Sequence, residues 1–99
     1  MVKKVDARRF LSNVPDDKVF WMCNGTILRN LGELEQCLEQ MNEGAYKYHA
    51  NKEKNDFGSW VKEVIGDKHL SDSLSKTRNK VSANKKVKER IKTLRKAAG

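Results

Sequence analysis

The chain has 99 residues, enough for one modest core and with little room for a deep active-site cleft. It is 37% hydrophobic and 34% charged, and no apolar run approaches the ~20 residues of a membrane-spanning helix, so a membrane span is excluded. Twenty-one Lys/Arg against thirteen Asp/Glu give a net charge of +8, which points to anionic partners.

The charge is unevenly placed. Residues 1–67 hold ten Lys/Arg and eleven Asp/Glu, whereas residues 68–99 hold eleven and two. Residues 1–75 are therefore expected to form a near-neutral body. Residues 76–99 are expected to form a basic helical arm, in the same domain or appended to it.

The first element reads as a short helix capped by Asp6, with Ala7, Phe10, Leu11 and Val14 at helical spacing and Pro15 closing it. Val19–Cys23 is rich in β-branched and aromatic residues and predicts a strand. Asn24-Gly25 predicts a type I′ turn, and Thr26–Arg29 a return strand. A lone hairpin is marginal in water, so this one must pack on helices. Asn30 and Glu33 form a capping-box pattern, followed by the apolar stripe Leu31, Leu34, Leu38, Met41 with Cys37 beside it. Ala45, Tyr46 and His49 suggest another short helix. Asn55 or Asp56 caps the clearest one, in which Phe57, Trp60, Val61, Val64 and Ile65 recur at i, i+3, i+4, i+7 and i+8. Gly66 stops it, and Asp67 caps a helix carrying Leu70 and Leu74. A break is expected at Asn79–Asn84, then a helix from Ala83 to Ala98 with Val87, Ile91, Leu94 and Ala98 along one seam. The fold class is α+β: a small helix-dominated domain with one N-terminal β-hairpin and a basic C-terminal helix.

Three groups of residues carry a recognisable pattern: Phe20-Trp21 followed by Asn30-Leu31-Gly32-Glu33-Leu34; Tyr48-His49; and Asn55-Asp56-Phe57-Gly58-Ser59-Trp60-Val61 running to Gly66-Asp67. Together they resemble a small, mostly archaeal domain family of unassigned function, over about residues 15–74. The resemblance implies an intracellular module. It implies no chemistry, and the basic arm lies outside it.

Few constellations suggest catalysis. Cys23, Cys37, His49 and His69 lack the close pairing of zinc ligands, and no metal or other cofactor is expected. Cysteines among Leu, Met and Trp read as small buried hydrophobes, reduced in a cytoplasmic protein. A Cys–His nucleophile pair would need a third residue to orient the base, and nothing in the sequence enforces one. His49 reads as a partly buried, hydrogen-bonded histidine, and Asp56 and Asp67 as helix caps. Most of Phe20, Trp21, Tyr46, Tyr48, Phe57 and Trp60 sit at core-facing positions, which argues against base stacking. The chain is expected not to be an enzyme.

The basic helix carries the functional expectation. Lys76, Arg78, Lys80, Lys85, Lys86, Lys88, Arg90, Lys92, Arg95 and Lys96 are the candidate phosphate contacts. They imply largely sequence-independent nucleic-acid binding, DNA favoured over RNA, with a nucleoid-like role. The rival expectation makes the Val87/Ile91/Leu94 seam an interface with a second copy or another protein; an RNA- or ribosome-associated role is a further alternative. The seam lacks the large apolar residues that would insert into a membrane surface.

Overall fold

The computed structural model describes residues Met1–Gly99. Its elements are α1 (Lys4–Leu11), a 3-10 turn (Asp16–Lys18), β1 (Phe20–Trp21), β2 (Ile27–Leu28), α2 (Leu31–Gln40), α3 (Glu43–His49), α4 (Asp56–Trp60), a π-helical turn (Val61–Ile65), α5 (Lys68–Ser75) and α6 (Lys80–Ala98). The α+β architecture is as expected: six helices around one two-stranded antiparallel hairpin.

Asx capping punctuates the helical chain. Asn30, Asn42, Asn55, Asp67 and Asn79 each accept the backbone N–H three residues on, starting α2, α3, α4, α5 and α6. Each bond satisfies a donor that the first helical turn leaves orphaned. At α2 the expected capping box forms. Asn30 accepts from the Glu33 amide at 2.8 Å, and Glu33 Oε1 accepts from the Arg29 amide at 2.7 Å. Two caps differ from expectation. Asp6 lies inside the first turn of α1, paired with Arg9 at 3.3 Å, and Lys3 occupies the cap without a side-chain bond. No break separates Asn79 from Asn84, because Asn79 accepts from Ser82 N–H and α6 begins at Lys80.

The hairpin pairs Phe20 with Leu28 and Trp21 with Ile27. Its turn is not type I′, which needs positive φ at Asn24 as well as Gly25. Gly25 alone has positive φ, at 90°. The Gly25 amide donates to Met22 O at 2.9 Å and the Met22 amide to Thr26 O at 2.8 Å. This is a three-residue connection, Cys23-Asn24-Gly25, ended by a left-handed glycine at the bulge position. The Asn24 side chain accepts the Thr26 amide instead of adopting the left-handed form.

Phe20, on the inner face of β1, anchors the hairpin. Its ring stacks on Phe57 at 5.2 Å and meets Trp60 edge-on at 5.8 Å. Trp60 Nε1 donates to Lys18 O at 2.9 Å, tying the 3-10 turn to α4. The predicted stripe of this helix is buried at Phe57, Trp60, Val61 and Ile65, with Val64 only half-buried. The helix widens at the π-helical turn and ends at Gly66, whose φ of 92° suits glycine.

Helix α6 is no appended arm. Ala83, Val87, Ile91 and Leu94 are buried in the same cluster as Ala7 and Phe10 of α1, Leu34 and Leu38 of α2, and Leu70 and Leu74 of α5. Asn84 Nδ2 donates to Glu35 O of α2 at 2.8 Å, and Arg8 Nε to Ala98 O at 3.2 Å. The seam is thus satisfied within the chain, and the body and the basic helix share one core.

Candidate nucleic-acid interface

With its seam turned inward, α6 directs its opposite side to solvent. Lys85, Lys88, Lys92 and Lys96 recur at i, i+3, i+7 and i+11, which places them along one stripe, with Arg95 on its flank. All five are exposed. From Lys85 to Lys96 the stripe runs about 16 Å at 1.5 Å per residue. Lys88 Nζ stands 3.9 Å from Glu35 Oε1, and the other four form no ion pair. Glu89 is the single acid of α6.

The remaining predicted cations separate. Lys86 is exposed on another flank of α6, Lys80 is half-buried at its start, and Lys76 and Arg78 are exposed in the α5–α6 connection. Arg90 leaves the phosphate-facing set. Its side chain is 12% exposed, and it donates from Nε to Asp67 Oδ2 at 2.7 Å and from Nη2 to Asp67 Oδ1 at 2.9 Å. Asp67 is fully buried and also accepts the Leu70 amide at 3.2 Å. Its carboxylate therefore caps α5 and clamps α6 onto it through a bidentate pair, the geometry that suits guanidinium and carboxylate.

His49 is the hydrogen-bonded histidine expected, and its partners come from distant segments. His49 is buried; its Nε2 accepts the Cys23 amide at 3.0 Å and its Nδ1 contacts Asp56 Oδ2 at 2.9 Å. An acceptor Nε2 places the proton on Nδ1, which donates to Asp56. Lys54 Nζ also donates to Asp56, at 3.0 Å. Burial opposes ionisation of Asp56, but the hydrogen bonds from His49 and Lys54 and the nearby positive charge outweigh it and hold the carboxyl below its usual value. Asp56 is thus a bracing partner and not a cap, which is Asn55. Cysteine, histidine and aspartate stand in series here, but the imidazole's free lone pair is taken by the cysteine's own amide and not its thiol. The arrangement fastens the hairpin turn to α3 and α4.

The cysteines also differ from expectation. Cys23 is exposed and Cys37 half-buried, both free. Burial, with the neighbouring Cys23 charge in support, pushes the Cys37 thiol up. No three His, Cys, Asp or Glu side chains are grouped to hold a metal ion. Among the aromatics, Phe20, Tyr46, Phe57 and Trp60 are buried, whereas Trp21 is 64% and Tyr48 61% exposed. Lys54 Nζ lies 5.2 Å from the Tyr48 ring centroid, a cation–π contact. The alternation of β1 was the available signal for Trp21, since Phe20 and Trp21 must face opposite ways.

No family model, curated protein or solved structure matches this chain. Many residues of the pattern noted in the sequence serve as joints of the fold: Phe20, Phe57, Trp60 and Val61 in the core, Asn30, Asn55 and Asp67 at helix caps, and His49 in the brace. No helix is long and apolar enough to cross a membrane.

Proposed function

We propose that the chain binds nucleic acid without catalysis, through phosphate contacts from the exposed stripe of α6, and that duplex DNA is the preferred form. The observation that carries the reading is the stripe Lys85, Lys88, Lys92, Arg95 and Lys96 on a helix whose other side is locked into the core. A docked helix holds its cations in fixed register, so less chain entropy is lost on binding than from a loose tail. The stripe has no aromatic residue, so phosphate contacts position the protein and little base sequence is read. Five phosphate contacts give a slope of log K against log salt near about −4.5.

Removing α6 would open the core, so the test uses surface substitutions. Binding of the full chain to random-sequence duplex DNA is measured by fluorescence anisotropy across a salt series. The variant Lys85→Glu/Lys92→Glu/Lys96→Glu is expected to keep the fold and lose most affinity, with the slope reduced by roughly 3. Equal binding by this variant, or no binding by the native chain at low salt, refutes the proposal.

A further inference from the structure

A second group of cations lies apart from the α6 stripe. A surface cleft of about 850 Å³ opens between α3, the connection at residues 51–54 and the α5–α6 connection. Its volume falls within the range of small-molecule sites. Lys47, Lys52, Lys54 and Arg78 line it, against one acid, Glu53. Lys54 is already paired with Asp56, but Lys47, Lys52 and Arg78 form no ion pair. Three cations outside any ion pair, from α3, the 51–54 connection and the α5–α6 connection, therefore line one opening.

Hydrogen bonds within the chain hold the walls in place. The Asn51 amide donates to Lys54 O at 2.8 Å, Asn51 Nδ2 donates to Lys47 O at 3.0 Å, and Asn51 Oδ1 accepts the Glu53 amide at 2.9 Å. Ala50 and Asn55 bridge across the base of this turn. On the facing wall, Asn55 Nδ2 donates to Leu74 O at 3.1 Å, which joins the start of α4 to the end of α5. The hydroxyls of Tyr46 and Thr77 meet at 3.4 Å and add polar groups to the lining. Such cross-bonding makes the opening preorganised, so a ligand need not be spent on ordering it.

The ligand that fits is anionic and compact. The lining cations outnumber the one lining acid, Glu53, and a ligand with two or more phosphate groups balances that excess while accepting several charge-assisted hydrogen bonds. We infer that this cleft is a binding site for a small ligand bearing a di- or oligophosphate group, independent of the nucleic-acid face on α6. Lys47, Lys52 and Arg78 supply the phosphate contacts. Lys54, fixed by Asp56 and the Tyr48 ring, borders them.

The test titrates the full chain with inorganic pyrophosphate, tripolyphosphate and adenosine diphosphate, followed by calorimetry and by amide chemical shifts. Saturable one-site binding is expected, with shifts grouped at residues 47–55 and 75–78. The exposed-site variant Lys47→Ala/Lys52→Ala/Arg78→Ala should lose affinity at least about tenfold, a loss of about 1.4 kcal/mol. The Lys85→Glu/Lys92→Glu/Lys96→Glu variant should bind these ligands as the native chain does. The inference is overturned if none of the three saturates below about 1 mM, if shifts concentrate on α6, or if the cleft variant binds undiminished. It is overturned equally if a single-stranded oligonucleotide perturbs the cleft and the small phosphates do not. Loss of DNA binding alone, in the α6 variant, bears on the other face and leaves this one standing.

Discussion

Replacing Arg90 with alanine separates a structural cation from a phosphate-binding one. The change removes the two charge-assisted bonds at 2.7 and 2.9 Å and leaves the Asp67 carboxylate, 1% exposed, with only the Leu70 amide at 3.2 Å. Removing one partner of a buried pair costs about 3–5 kcal/mol, because the remaining charge stays desolvated. A domain of this size has about 5–15 kcal/mol in all, and each kcal/mol moves Tm by about 4–8 °C. Arg90→Ala should therefore lower Tm by at least about 12 °C. Urea denaturation followed by circular dichroism measures the loss. The double variant Asp67→Asn/Arg90→Met retains a capping side chain, leaves no buried charge, and should recover much of the stability. A loss below about 1 kcal/mol for Arg90→Ala, the scale of a surface pair, would refute the clamp. Below its melting temperature, Arg90→Ala should bind DNA with an unchanged salt slope.

Two further outcomes are expected. Leu94→Ala should cost about 2–5 kcal/mol by opening a cavity in the core beneath α6, with the mass of the folded protein by light scattering equal to that of the native chain; a native-like stability accompanied by a fall in mass would instead make the seam an intermolecular surface. Asp56 has its folded-state pKa depressed by His49 and Lys54, so the stability it adds is complete above the ordinary carboxylate value of about 3.9 and is lost as pH falls through the lower folded value. The stability gap between the native chain and Asp56→Asn, measured by denaturant titration, should hold from neutral pH to about 5 and then shrink; a gap unchanged through the acid range refutes the brace.

The local rules were legible in the residues. Asn30, Asn55 and Asp67 advertised their caps, the apolar stripes of α2 and α4 marked their buried faces, and Val87, Ile91 and Leu94 marked the seam. What needed the fold was long-range pairing. Arg90 and Asp67 are 23 residues apart, and His49 reaches back 26 residues to the Cys23 amide. No spacing rule connects such positions, so Arg90 resembled every other cation of its helix. Asn24-Gly25 suits type I′ by propensity, while the actual connection uses Cys23 as well and needs left-handed φ only at Gly25. The π-helical turn is invisible to a 3.6-residue period; Val64, within that turn, packs half-buried against the core. No spacing rule marks the cations of the cleft, because Lys47, Lys52 and Arg78 line one opening only when α3 and the α5–α6 connection meet.

The packing of α6 against α1 has a consequence for how the chain acquires its fold. Arg8 and Ala98 are bonded across 90 residues, so α1 finds its partner only when α6 has been made. Until then the apolar sides of Ala7 and Phe10, and those of Leu34 and Leu38, have no cover from α6. Closing so long a loop is slow compared with forming local helices, and the surface left open in the interval is one that chaperones recognise. The capped helices can form early and individually; the domain is complete only when its two most distant helices close on each other.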